Sequence, residues 1–353
     1  MNDLHLWIRS EMRSTEQRVP IVPADAARLV AAGARITVEE SAQRVFAQAD
    51  YRRAGCEVVP AGVWEHAPAD AYVVGIKELP PEPVTLRHTH IFFAHAFKGQ
   101  RGAGELLARF GQGGGELLDV EYLTVAGHRS VAFGHWAGYV GAGLAVLQHR
   151  RELVAPLAPM TQPDLDARLG APHTAGVQAL VIGARGRSGR GAEAALHRAG
   201  CAVTQWGTKD TRLLDKAALL NHDLLVNCVV TFRPQQPFVE AVDAQASGRR
   251  LSVIADVTCD VTSGHNLLPV NTAVTTWDDP ARRVHEGPVP LDVIAIDNLP
   301  SLLPREASIA FSADFVPLLD DLAARRGPWV KARAAFERAV AASTLDQPTG
   351  ADL

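Results

Sequence analysis

Lys77 and Glu78, in the segment Gly75 to Pro80 (GIKELP), end one apolar run, and His95 ends the next, with Lys98 just beyond it. If those runs are neighbouring strands of a parallel sheet, both side chains reach one crevice, because ligands bind beyond the carboxyl ends of such strands. Burial can lower a lysine pKa until the amine acts as a base near neutrality, where an imidazole already titrates. Together they suit removal of a proton from an amine and activation of water at an imine carbon. Taken singly, each also fits a plainer role: Lys77 and Glu78 an exposed ion pair, His95 a hydrogen-bonded core histidine. Arg18, Glu121 and Arg129 fit surface charges equally well. Two or three arginines around a cleft would, however, pair bidentately with a dicarboxylate.

A second chemical signal lies between Val177 and Gly200. An apolar run ends at Ile182, a turn GARGRSG follows from Gly183 to Gly189, and a helical pattern continues to Ala199. Strand, glycine turn and helix in that order are the context of a dinucleotide fingerprint. Gly183 would permit the tight turn, Gly186 the approach of pyrophosphate, and Gly189 the packing of helix on strand. Arg185, Arg187 and Ser188 complete the turn, and the N–H groups and dipole of the helix start would face the phosphates. The spacing is G-x-x-G-x-x-G, so the context carries more than the glycines. An acidic residue expected about 20 residues on, to bind the ribose, is missing. After Trp206 the chain reads Gly207, Thr208, Lys209, Asp210, Thr211, Arg212. Asp210 would serve if the loop folds back, whereas Lys209 and Arg212 would neutralise a 2′-phosphate. A nicotinamide dinucleotide is the expected cofactor, and these residues leave the choice between NAD and NADP open.

The elements needed to position these groups can be traced along the 353 residues. That length suits two domains. Strands are expected at Leu4 to Arg9, Arg35 to Glu39, Glu57 to Val59, Ala71 to Ile76 and His90 to Ala94, with a helix from about Ala24 to Ala32 capped by Gly33. The run Gly134 to Leu147 reads as a long buried helix leading into the second half, and Leu153 to Pro172 as a surface connection. Further strands are expected at Val177 to Ile182, Ala202 to Trp206, Leu224 to Val229, Leu251 to Ala255 and Val293 to Ile296, before a helical tail. The expected fold is α/β: two Rossmann-like domains with mostly parallel sheets, a cleft between them, and the C-terminal helix returning to the first. The boundaries drawn are 1–133 plus 312–353 for the substrate domain and 134–311 for the dinucleotide domain.

Composition narrows the partners. Hydrophobic residues make up 47% and charged residues 21%, as in a globular protein, and the net charge of −4 comes without a dense basic run. A small-molecule substrate is expected, with no nucleic acid and no membrane, in a monomer or small homo-oligomer. The four cysteines stand far apart, without ligand spacing, so neither disulfides nor a metal site is expected. The N-terminus has no basic segment followed by an apolar one, and no apolar run is long enough to span a bilayer. A cytoplasmic location is the default.

Assembled, these segments resemble the NAD-dependent, L-lysine-forming saccharopine dehydrogenases of the alanine dehydrogenase/transhydrogenase superfamily. The resemblance runs from about Arg9 to the tail. It is carried by Gly75 to Pro80, Ala94 to Lys98, Asp119 to Leu123, Ala132 to Tyr139, Gly183 to Gly189 and, most specifically, Ile296 to Ser308 (IDNLPSLLPREAS). It implies oxidative cleavage of saccharopine to lysine and 2-oxoglutarate. Carried over, Lys77 is the base toward the secondary amine, and His95 handles protons as water adds to the imine and the carbinolamine collapses. Glu78 and Glu121 would tune their charge, Arg18, Lys98 and Arg129 would hold substrate carboxylates, and Asp297 would face the same cleft. The chain departs from the family where Gly207 replaces the ribose-binding Asp and where Ser188 stands in place of a frequent Cys. A related dehydrogenase joining another amine to a keto acid is the alternative.

Overall fold

The computed structural model describes residues 4–97, 102–170 and 176–345. The chain divides into two compact α/β units, Met1–Ala132 with Ala307–Leu353, and Phe133–Glu306.

The first unit is built on β1 (His5–Ile8), α1 (Pro23–Ala31), β2 (Arg35–Glu39), α2 (Gln48–Arg53), β3 (Glu57–Val59), β4 (Tyr72–Val74), β5 (Thr89–Phe92), α3 (Ala103–Gly113) and β6 (Glu116–Asp119). The six strands are all parallel, in the order β3-β2-β1-β4-β5-β6. Such strands are covered on both faces, which is why β1, β4 and β5 read as nearly unbroken apolar runs rather than alternating ones. Strand order reverses between β1 and β4, which marks the carboxyl edge of this sheet as a ligand crevice. Pro23 starts α1, and Gly33, at φ 95°, ends it in the left-handed conformation a side chain would resist. A small hairpin, β7 (Thr124–Val125) and β8 (His128–Arg129), follows β6.

The second unit opens with α4 (Gly134–His149), buried from Gly138 to Leu147, and α5 (Gln162–Leu169). It continues through β9 (Gln178–Ile182), α6 (Arg187–Arg198), β10 (Ala202–Trp206), α7 (Thr208–Arg212), α8 (Lys216–Leu220), β11 (Leu224–Asn227), β12 (Val253–Asp256), β13 (Arg282–His285) and β14 (Leu291–Ile294). The sheet order is β10-β9-β11-β12-β14-β13, parallel except for the edge strand β13. Successive residues of β9 feed two cores. Ala179 and Val181 join the side covered by α4 and α6, and Leu180 and Ile182 join the other. α4 and α6 touch backbone to backbone: a side chain at Gly138 would collide with the Ser188 carbonyl, and one at Gly191 with that of His135.

The last helices are α9 (Pro304–Phe315) and α10 (Pro328–Leu345). Within the first unit, Arg333 of α10 pairs with Glu116 of β6, which anchors the returning tail.

Several elements were hidden from a reading of local pattern. The segment expected to be a surface connection contains α5, two turns held by a capping box between Thr161 and Asp164 and by buried Leu165 and Leu169. α3 and β6 were also not anticipated: α3 has only Ala103, Leu107 and Phe110 buried, and β6 is four residues long. β13 is a charged edge strand, which presents no apolar run to read.

Candidate active site

Lys77 and His95 occupy matching places on neighbouring strands. β4 ends at Val74 and β5 at Phe92, with Val74 paired to Ile91, so each residue lies three positions past its strand. Their backbones are held by buried charge. After β1, Glu11 accepts the N–H of Ile76 at 2.6 Å and of Lys77 at 3.0 Å. Arg9, 1% exposed, donates to the Lys77 carbonyl and pairs with Glu11 at 3.4 Å. The Arg9 guanidinium also fills the space over Gly75, where any side chain would meet it at 2.5 Å. Burial raises the Glu11 carboxyl above its usual range, with Arg9 and the two N–H groups pulling against that rise. Gln43 ties the loop together by donating to the carbonyls of Glu11, Arg13 and Glu16.

Arg18 is a buried residue, not a surface charge. It pairs with Glu16 at 2.6 Å, both side chains 3% exposed or less. Burial alone would raise the Glu16 carboxyl, but Arg18, with a smaller contribution from the Lys77 ammonium, holds it below its usual value. The loop carrying this pair is fixed by Ser308 and Ser312 of α9, whose hydroxyls accept the N–H groups of Val19 and Val22. Glu78, in contrast, is exposed and pairs with Arg13; burial would raise its carboxyl, and Arg13, then Lys77, hold it low.

His95 sits at φ 50° with its ring 55% exposed. Its Nδ1 lies 3.5 Å from Glu121, a carboxylate only 9% exposed that also pairs with Arg129. Beneath them is Asp119, the last residue of β6 and fully buried. Its carboxylate accepts the His95 N–H at 3.2 Å and the Glu121 N–H at 2.9 Å. Lys98 lies outside the described residues.

The glycine turn of the second unit follows β9 where strand order reverses between β9 and β11. Gly183 has φ 84°, and a side chain there would press on Val229 at 2.8 Å. Gly186 is the N-cap of α6, and Gly189 packs so tightly that any Cβ would strike the Gly183 carbonyl. The first turn of α6, with Arg187 and Ser188, presents N–H groups that have no intrahelical acceptor; Arg185 is exposed beside it. This bare backbone cradle fits a diphosphate, because each side chain that would fill it is absent.

After β10, Asp210 directs a carboxylate oxygen to the Gly207 N–H at 2.7 Å, which caps α7. Thr208, Lys209 and Arg212 are exposed around it. Asp297 is exposed just past β14, and its charge contributes to raising the Cys259 thiol, after burial and Asp256. Among the described residues no group of three or more His, Cys, Asp or Glu is placed to hold a metal ion.

Glu11, Glu16 and Asp119 were not anticipated as site residues. Glu16 stands two residues before Arg18 and Asp119 two before Glu121, but nothing in local spacing distinguishes a buried acid from a surface one.

The N-terminal domain of the alanine dehydrogenase/PNT family matches residues 7–140. Among solved structures, an L-alanine dehydrogenase is 16% identical over 95% of this chain and 94% of its own, with a TM-score of 0.67. The transhydrogenase from Sinorhizobium meliloti is likewise 16% identical, over 90% and 94%, with a TM-score of 0.65. These two speak for the fold. The saccharopine dehydrogenase (NAD(+), L-lysine-forming) of Schizosaccharomyces pombe is 37% identical over 95% of this chain and 98% of its own. That of Emericella nidulans is 38% identical over 98% and 100%. With near-complete coverage on both sides, the chain belongs to the family of NAD(+)-dependent, L-lysine-forming saccharopine dehydrogenases.

Proposed function

We propose that this protein catalyses the reversible, NAD-dependent cleavage of saccharopine to L-lysine and 2-oxoglutarate. The observation that carries the reading is the full-length similarity to enzymes named for that activity, which spans both the Lys77 and His95 segments and the glycine turn. When bound, NAD accepts the hydride from the substrate carbon next to nitrogen. Gly183, Arg185, Gly186, Arg187, Ser188 and Gly189 would hold its diphosphate, and Thr208, Lys209, Asp210 and Arg212 would surround its adenosine ribose.

The chain's own residues move the protons. Lys77 takes the proton from the secondary amine as the C=N bond forms. His95 removes a proton from water as its oxygen adds to the imine carbon and passes it to the imine nitrogen. Lys77 then returns its proton to that nitrogen, and His95 takes the hydroxyl proton as the C–N bond breaks and lysine leaves. Glu121 and Glu78 set the field around these two groups. Arg18, Lys98, Arg129 and Asp297 orient the substrate, the cations by pairing with its carboxylates. The Arg18–Glu16 pair supports this because a buried guanidinium held by a carboxylate is a rigid donor.

A small-molecule partner and a cytoplasmic location belong to the same reading, supported by four unpaired cysteines. Among the described residues no helix is long and apolar enough to cross a membrane. The test follows NADH and NADPH loss with 2-oxoglutarate plus lysine, ornithine, other amines or ammonia. Turnover with lysine and NADH is expected. Clear activity with another amine and none with lysine would replace the reading by a related amino-acid dehydrogenase.

A further inference from the structure

His95 and Glu121 leave different strands, yet one side chain grips both. Asp119 ends β6 and is paired with Phe92, the last residue of β5. From there its Oδ2 accepts the backbone N–H of His95 at 3.2 Å and its Oδ1 that of Glu121 at 2.9 Å. The carboxylate is wholly buried, so these two bonds are not shared with solvent. His95 is also one of the few non-glycine residues with positive φ, at 50°. L-residues hold that conformation only where their surroundings impose it. The ring stacks near Phe93, 6.4 Å between centroids and 20° between planes, which leaves its tilt adjustable and its backbone as the fixed point.

We propose that Asp119 is a positioning residue for the reaction: by holding the two N–H groups at once, it sets His95 and Glu121 in register with each other and keeps the His95 Nδ1 beside the Glu121 carboxylate. Burial pushes its carboxyl up to about 6, so it is charged, and able to accept both bonds, at neutral pH. Asparagine has the same size but one acceptor oxygen, so it can satisfy one N–H and must turn its own donor toward the other. The inference rests on the role given to His95 above.

The test combines Asp119→Asn with His95→Gln in the full-length enzyme. Asp119→Asn is expected to lower kcat about tenfold, as slight misplacement of a proton-transfer group does, with the Kd for NADH by fluorescence titration unchanged. In the His95→Gln background the same substitution is expected to cost little more, because residues acting through one another do not add. Wild-type kcat in Asp119→Asn, or a full tenfold further loss in the double variant, overturns the positioning role while leaving His95 in place. Wild-type turnover in His95→Gln alone would instead remove the histidine, and this inference with it. Circular dichroism and thermal unfolding of each variant confirm that a folded protein is being compared; a kcat loss that tracks loss of folded protein counts against positioning.

Discussion

The carboxyl edges of the two sheets each lie at a reversal of strand order and differ in what fills them. In the first unit the edge is packed with buried charge. Glu39 at the end of β2 accepts the N–H groups of Ser10 and Gly62, Glu11 those of Ile76 and Lys77, and Asp119 those of His95 and Glu121. In the second unit the edge around β9 is bare glycine backbone, and Asp256, a buried acid on β12, is met by the side chains of Asn227 and Thr258 and by the Thr258 N–H. The difference fits the tasks proposed for the two edges. Groups that exchange protons must be held at a fixed angle and charge, which needs strong, desolvated partners. A diphosphate needs only donors and room, which a helix start and missing side chains supply.

The contrast breaks first at the proposed proton-transfer groups. Lys77→Met and His95→Gln are each expected to lower kcat by about 10² or more while the Kd for NADH stays near wild type. Turnover close to wild type in either variant removes that residue from the mechanism.

Next comes the stability that buried charge costs. Asp119 is raised from 3.8 to about 6, first by burial and then by the neighbouring Glu121. Between those values the folded state binds more protons than the unfolded chain, so stability falls as pH rises. By about pH 6 the contribution, about 3 kcal/mol, is gone. Urea unfolding of wild type and Asp119→Asn at pH 4 and pH 7 checks the sign. The wild type is expected to lose ground to the variant as pH rises, and the opposite trend would mean Asp119 is not desolvated.

In the second unit, Gly189→Ala places a methyl group against the Gly183 carbonyl. A loss of about 1–3 kcal/mol from folding or NADH binding is expected, measured by thermal shift with and without NADH, whereas an unaffected protein would show that the cradle has slack. The smallest effect sharpens cofactor choice. Gly207→Asp adds a carboxylate where one binds the ribose hydroxyls in NAD enzymes, so the ratio of NADPH to NADH Kd is expected to rise about tenfold, or about 1.4 kcal/mol. An unchanged ratio would mean that the ribose lies elsewhere.

Strong local signals were legible. The order of strands and helices, the buried helix α4, the glycine turn and the two strand ends carrying Lys77 and His95 are all written in runs of apolar residues and in glycines at φ above zero. Weakly patterned elements were not: α3, α5, β6 and the charged edge strand β13 take their definition from neighbours rather than from their own residues. The site divides in the same way. Arg18, Glu121 and Arg129 were visible as charges, but their partners were not, since an ion pair depends on where two chain segments meet.

Periodicity and turn chemistry along the chain were enough to define the α/β class and to point to the two candidate centres, and the resemblance of the motifs from Gly75 to Ser308 pointed to the family. Which acids are buried, and which backbone N–H groups they hold, was settled by the adjacency of β1 with β4 and of β5 with β6. Those neighbours are 66 and 27 residues apart in the chain, and a carboxylate reads the same in sequence whether water or protein surrounds it. Only packing removes the water, and removing the water is what turns Glu11 and Asp119 from surface charges into fixed supports.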